Sequence, residues 1–356
     1  MMHKFATLIS SLMLFAAAPA AAQQLPRFEV DPFWPQLPFG DRWLTGGLGG
    51  MCIDSNDHVF LLNRQNVVAD DLDGARLAPP VIELDPEGRV VRGWGSEEQL
   101  GERLHDCHAD NEGNIWIVPA ATGFLRKFSA DGSRQLLQLG DSEVYDSVDG
   151  TRRGAPLNSD AARFFLPAAV DVDPQNGDIY VADGELPGGN TRIAVMNKDG
   201  SFLRQWRLQR SAEEVAIELP HCLRLSSDGL VYVCDRRADR IQVFNRQGAL
   251  VKIIDVGFEP VSAADNRSSG TRGNAVVLDF SPDRLQTYMY VVNQNSVTVE
   301  ILERQSGRRL GSLGGGPGRY PGQFILPHGI GVDSRGNVYV AEQEGARVQK
   351  FRLIQE

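Results

Sequence analysis

The chain has 356 residues, of which 42% are hydrophobic and 23% charged, with a formal net charge of −10. Acidic residues outnumber basic ones by 46 to 36 and no block of Lys or Arg interrupts the sequence, which argues against a nucleic-acid binder. The surplus acid serves solubility and says little about any site.

In chain order, the first element is a leader. Lys4 precedes an apolar run from Phe5 to Ala18, and Ala20-Ala21-Ala22-Gln23 follows with the small residues of a cleavage site. This is the pattern of a secretory signal peptide over residues 1–22, too short to span a membrane, and it predicts a soluble mature chain of residues 23–356 in a periplasm or outside the cell. No later segment has the length and apolarity of a membrane span. Four cysteines remain: Cys52, Cys107, Cys222 and Cys234. None has the Cys-x-x-Cys spacing of a zinc thiolate site. Cys222 and Cys234 flank one hairpin, where a cross-strand bridge is open to them in an oxidising compartment.

The mature length alone suggests two domains, but a repeat reduces it to one. Six units follow one another, each built from short β-branched and aromatic runs broken by Asp-Gly, Gly-Asn or Pro-Glu-Gly turns, the signature of successive antiparallel strands. Unit one contains Gly49-Gly-Met-Cys-Ile-Asp54, unit two begins at Leu104-His105, and unit three is Leu166-Pro-Ala-Ala-Val-Asp-Val-Asp173 with Gly177-Asp-Ile-Tyr-Val-Ala-Asp183. Unit four is Leu219-Pro-His-Cys-Leu-Arg-Leu-Ser226 with Arg240-Ile-Gln-Val-Phe244, and unit five contains Val276-Val-Leu-Asp-Phe-Ser281. Unit six is Leu326-Pro-His-Gly-Ile-Gly-Val-Asp333 with Asn337-Val-Tyr-Val-Ala-Glu342 and Arg347-Val-Gln-Lys-Phe351. The residue five before the Asp or Ser that ends each first strand is an anchor: Gly49, His105, Ala168, His221, Val276 and His328. These units predict an all-β fold, a six-bladed propeller of four-stranded blades. Only three strands fit after His328, so Arg27-Phe-Glu-Val-Asp31 is expected to supply the outer strand of the last blade.

Three of the five mature histidines occupy anchors, in units two, four and six. Alternate blades of a six-bladed ring lie about 120° apart, so His105, His221 and His328 should converge on the axis as a facial triad with open positions, the arrangement of a catalytic metal. A strand-capping role would explain one such histidine but not three at alternate anchors. His58, in the Asn56-Asp57-His58 turn, reads as a solvated loop residue. His108, three residues past His105, is a competing or outer candidate that the repeat register disfavours. Arg64 and Arg236 follow the second strands of units one and four, on opposite blades. Either alone reads as a surface arginine; together they suit a bidentate clamp on a substrate carboxylate.

The Leu-Pro-His-Gly-Ile-x-Val-Asp … Gly-Asn-Val-Tyr-Val unit resembles an NHL repeat. From about residue 45 onward the chain resembles the peptidyl-α-hydroxyglycine α-amidating lyases, propellers that cleave a carbinolamide to an amide and glyoxylate. The resemblance implies zinc, or another divalent transition metal, on His105, His221 and His328. It also implies substrate binding by Arg64 and Arg236, in Phe60-Leu-Leu-Asn-Arg64 and Cys234-Asp-Arg236-Arg-Ala-Asp-Arg-Ile. Two family features do not carry over. Glu185 stands where the family has a catalytic tyrosine, and it reads either as a solvated loop acid or as a general base beside the metal. Gly329 replaces an acidic residue tied to a structural calcium, so calcium is not expected. Tyr145 and Tyr320, in long connections, are candidate substitutes for the tyrosine.

Gly314-Gly-Gly-Pro-Gly318 lacks the Gly-Lys-Ser/Thr of a phosphate loop, and no Gly-x-Ser-x-Gly elbow marks a serine hydrolase. The polar segments Asp141–Ala162 and Ala264–Asn274 are expected as disordered rims or as lids. Function is thus expected to be that of a metal-dependent lyase on a small-molecule or peptide-like carboxylate. The alternatives are a hydrolase or lactonase using metal-bound water, and a non-catalytic propeller with a protein partner on its face.

Overall fold

A computed structural model describes residues 25–210, 218–257 and 273–354. The expected leader and its cleavage point lie outside them, as does nearly all of Ala264–Asn274. The described chain is almost entirely strand and folds as six four-stranded antiparallel blades in a ring. A small parallel pair, Trp43–Leu44 with Arg76–Leu77, lies beside the first. The inner strands are Leu48–Ile53, Leu104–Ala109, Pro167–Val172, Pro220–Leu225, Leu278–Phe280 and Pro327–Val332. In the sixth blade, Arg27–Asp31 pairs antiparallel with Arg347–Ile354, setting Arg27 opposite Ile354 and Asp31 opposite Lys350.

The blades pack through one repeated side-chain pattern. The second strands carry Phe60, Trp116, Tyr180, Tyr232, Tyr290 and Tyr339, each at most 1% exposed. Trp206 of the third blade meets Phe244 of the fourth, Tyr232 of the fourth meets Phe280 of the fifth edge-on, and Tyr339 of the sixth meets Trp34 edge-on. Each such burial contributes roughly 1.5–3 kcal/mol from area alone, so the ring is held by many equivalent blade-to-blade contacts rather than by a central core. Three blades add an ion pair between the end of the second strand and the start of the third: Asp183–Arg192 and Asp235–Arg240, both buried, and Glu342–Arg347, whose arginine is partly exposed.

The innermost junctions alternate. From an even blade to the next odd one, an anchor imidazole donates from Nδ1 to the next anchor's carbonyl: His105 to Ala168, His221 to Val276 and His328 to Gly49. From an odd blade to the next even one, the residue three past the anchor makes the link. Asp171 accepts from Leu225 N and Asp279 from Val332 N, while Cys52 is disulfide-bonded to Cys107. Cys222 and Cys234 face each other across one hairpin and form the second disulfide. The cross-blade pairing of Cys52 with Cys107 had no signal in the sequence. Blade one comes so close to blade two that a Cβ on Gly49 would lie 2.0 Å from the Leu104 carbonyl oxygen, which excludes any side chain there.

Candidate metal centre

In the first, second, third, fourth and sixth blades the register between inner and second strand slips by one residue at the anchor, for instance between Leu104 and Asp106 and between Pro220 and Cys222. The anchor is therefore the extra residue of a β-bulge, released from the ladder and free to aim its side chain at the axis. Where that residue is histidine, the three rings meet. His105, His221 and His328 are at most 4% exposed, and one ligand atom from each lies within 4.8 Å of the others. His105 Nε2 and His221 Nε2 are 3.2 Å apart.

The carbonyl partners decide the tautomer. A carbonyl oxygen only accepts, so each Nδ1 carries a proton and each Nε2 faces the axis, where that of His221 presents a lone pair to Arg236. Burial, together with the Arg236 charge and against the pull of Glu185, pushes His221 down to about 4. Burial and the charges of His105 and Arg64 hold His328 well below the ordinary histidine value. His221 and His328 are neutral at pH 7.

Glu185 is not a solvated loop acid: it is 1% exposed. Its Oε1 accepts from Arg103 at 2.9 Å, and its Oε2 lies 2.9 Å from His221 Nε2 and 3.2 Å from His105 Nε2 without a hydrogen-bond partner of its own. Arg236 Nη1 reaches His221 Nε2 at 2.8 Å while Nη2 donates to Gln294. Arg64 Nε donates to the Leu104 carbonyl and its Nη2 is buried without a partner. Burial, then the nearby charge of Arg103 and that of Arg236, lower Arg64 to about 10, outweighing Glu185. Three guanidiniums thus surround one carboxylate, a field suited to an anionic substrate group.

Sequence reasoning missed Arg103, whose one signal is its place two residues before the second anchor. Its other candidates fall elsewhere. His58 is half-buried and bonds Glu83 at 2.7 Å. His108 lies 3.3 Å from Asp171, in a separate cavity that Arg224 and Asp279 also line. Tyr145 spends its hydroxyl on the Ala121 carbonyl, and Tyr320 is 78% exposed. The Asp141–Ala162 connection packs against the third blade, where its buried Asp146 meets Asn190 and Arg192.

The NHL repeat family model matches residues 219–244 and 324–351, which contain His221 and His328. The chain is a six-bladed propeller that carries NHL repeats. Among curated relatives of this propeller, peptidyl-glycine alpha-amidating monooxygenase B of Xenopus laevis is 26% identical over 91% of the chain, which spans 35% of that protein's length. NHL repeat-containing protein 3 of Mus musculus is 26% identical, covering 92% of this chain and 84% of that one. The probable peptidyl-alpha-hydroxyglycine alpha-amidating lyase pgal-1 of Caenorhabditis elegans is 22% identical, with 87% and 83% covered. Among solved structures, a streptogramin B lyase superposes with TM-score 0.54 at 13% identity, covering 92% of this chain and 98% of its own. A gluconolactonase of Xanthomonas campestris gives TM-score 0.54 at 14% identity, with 87% of each chain covered. These two share the fold. Among the described residues, no helix is long and apolar enough to cross a membrane.

Proposed function

We propose that this NHL-repeat propeller is an exported, zinc-dependent lyase that cleaves a carboxylate-bearing α-hydroxyglycine amide to an amide and glyoxylate. The supporting observation is the convergence of acceptors: imidazole lone pairs and a carboxylate oxygen meet in a buried space, and the nearest donor, Arg236 Nη1, reaches one of them. Acceptors so placed repel one another unless a cation sits among them, and neutral imidazole with carboxylate is a donor set that fits zinc. When bound, zinc supplies a Lewis acid that acidifies a substrate hydroxyl. Arg64 and Arg236 bind the substrate carboxylate and fix its orientation. Glu185 Oε2 accepts the hydroxyl proton, the C–N bond breaks as the C=O bond forms, and the proton passes to the departing amide nitrogen. The relatives named as amidating lyases support this substrate class.

Metal content of the purified protein, measured beside a His221→Ala variant, tests the centre. About one metal per chain, lost in the variant, is expected. Glyoxylate release from an α-hydroxyglycine amide tests the reaction. A carboxylate in place of the family tyrosine also favours a second reading, activation of water in a hydrolase or lactonase; lactone opening without glyoxylate release would establish it. The two disulfides support export to an oxidising compartment, which cell fractionation and the N-terminal sequence of the mature protein check.

A further inference from the structure

We propose that Glu185 is a fourth protein ligand of the resting metal centre and that Arg103 is the residue that positions it. The inference rests on the three-histidine reading and goes beyond it, since a three-histidine site by itself leaves its fourth position to solvent or substrate.

The simpler account of Glu185 is an ion pair with protonated histidines, and the hydrogen bonds exclude it for the nearer one. His221 Nδ1 donates to the Val276 carbonyl, and His221 Nε2 accepts from Arg236. Both ring nitrogens are therefore committed, and Nε2 has no proton to give Glu185 Oε2 at 2.9 Å. His105 has Nδ1 on the Ala168 carbonyl and Nε2 facing the Nε2 of His221 and the Oε2 of Glu185. An anionic oxygen buried against the Nε2 atoms of two histidines, with no hydrogen-bond partner of its own, is a ligand atom in search of a cation.

The carboxylate is held there from behind. Arg103 takes Oε1 and leaves Oε2 toward the axis, while the backbone N of Glu185 donates to the Leu166 carbonyl at 2.8 Å. Asp183, two residues earlier, is fixed by Arg192 and Asn190. Arg103 is 36% exposed on its side chain, so it steers Glu185 without being part of the buried centre. With substrate in the place of Oε2, that lone pair would be free to accept a proton, so one carboxylate would close the resting site and then serve as the base.

Zinc affinity, measured by competition with a chromophoric chelator, and the visible spectrum of the cobalt(II)-substituted protein distinguish the outcomes. Glu185→Gln keeps the shape and removes the charge. It is expected to weaken zinc binding tenfold or more and to change the cobalt bands, with circular dichroism unchanged. Arg103→Met is expected to weaken zinc binding by a smaller factor, and Arg103→Lys to restore part of the loss; these variants keep the proposal testable if Glu185→Gln misfolds. Wild-type affinity and cobalt spectrum in Glu185→Gln and Arg103→Met, alongside metal loss in His221→Ala, would overturn the fourth-ligand assignment and leave the histidine centre standing. Full metal retention in His221→Ala would remove the centre itself, and with it this proposal.

Discussion

Replacing Arg192 by methionine tests how the fold holds its functional loop. The Arg192 side chain is fully buried, with Nε 3.1 Å from Asp183 and Nη2 3.3 Å from Asp146, and it also donates to Gln205 and to the carbonyls of Ser159 and Arg163. Methionine fills similar volume but strands two carboxylates that are themselves fully buried. Removing one partner of a buried pair costs about 3–5 kcal/mol, mostly as the penalty for the charge left behind. Burial already raises Asp183 even with Arg192 beside it. In the variant its folded value rises further above the unfolded one, so the deficit should be small below the unfolded value near 3.8 and grow as pH rises through the folded value. Urea unfolding of wild type and variant from pH 4 to pH 8 measures this, with Arg347→Met as a control, since that arginine is 28% exposed and its loss lets water reach Glu342. A deficit that does not depend on pH, or equal losses in the two variants, would refute the buried-charge argument. Because Asp183 lies two residues before Glu185, the Arg192 variant should also bind zinc more weakly.

Two further outcomes follow from the described contacts. The Cys52–Cys107 bridge closes a sequence separation of 55 residues and Cys222–Cys234 one of 12, with all four cysteines buried. Loop entropy therefore predicts that the double alanine variant of the first pair loses about 1.3 kcal/mol more than that of the second; urea unfolding in which the hairpin pair costs more would count against it. In metal-free protein the His221 value of about 4 lies below its ordinary 6.5. Its contribution to stability is then complete above pH 6.5 and lost as pH falls toward 4, by about 3 kcal/mol. His221→Asn should flatten that slope in a pH series of unfolding midpoints, and an unchanged slope would show the proton going elsewhere.

What could be read from the sequence was whatever the repeat carries. Comparing six copies put His105, His221 and His328 in one register, and the bulge that turns that register into a direction recurs with it. Arg64 and Arg236 were legible for the same reason, each following the end of a second strand. Glu185 was ambiguous because its burial is set from outside its own repeat: Arg103 comes from the second blade, and the Asp141–Ala162 connection anchors the loop through Asp146 and Asn190. That connection looked like a polar rim because its buried polar groups are satisfied by distant partners. The Cys52–Cys107 bridge escaped notice on similar grounds, as it takes one inner strand lying against the next to bring the two together.

The alternating junctions along the axis have a consequence for how such rings can be rebuilt. Each imidazole leans on the main chain of the following blade, so the third, fifth and first blades shape the centre through carbonyls that any compatible residue supplies. The interchangeable part is thus a couplet rather than a single blade: second with third, fourth with fifth, sixth with first. Grafting one blade from a relative would carry a histidine without its support, whereas grafting a couplet would transfer both. The sixth-and-first couplet joins residues 279 positions apart in sequence, so a shuffled library would need to cut elsewhere, or permute the chain, to keep it whole.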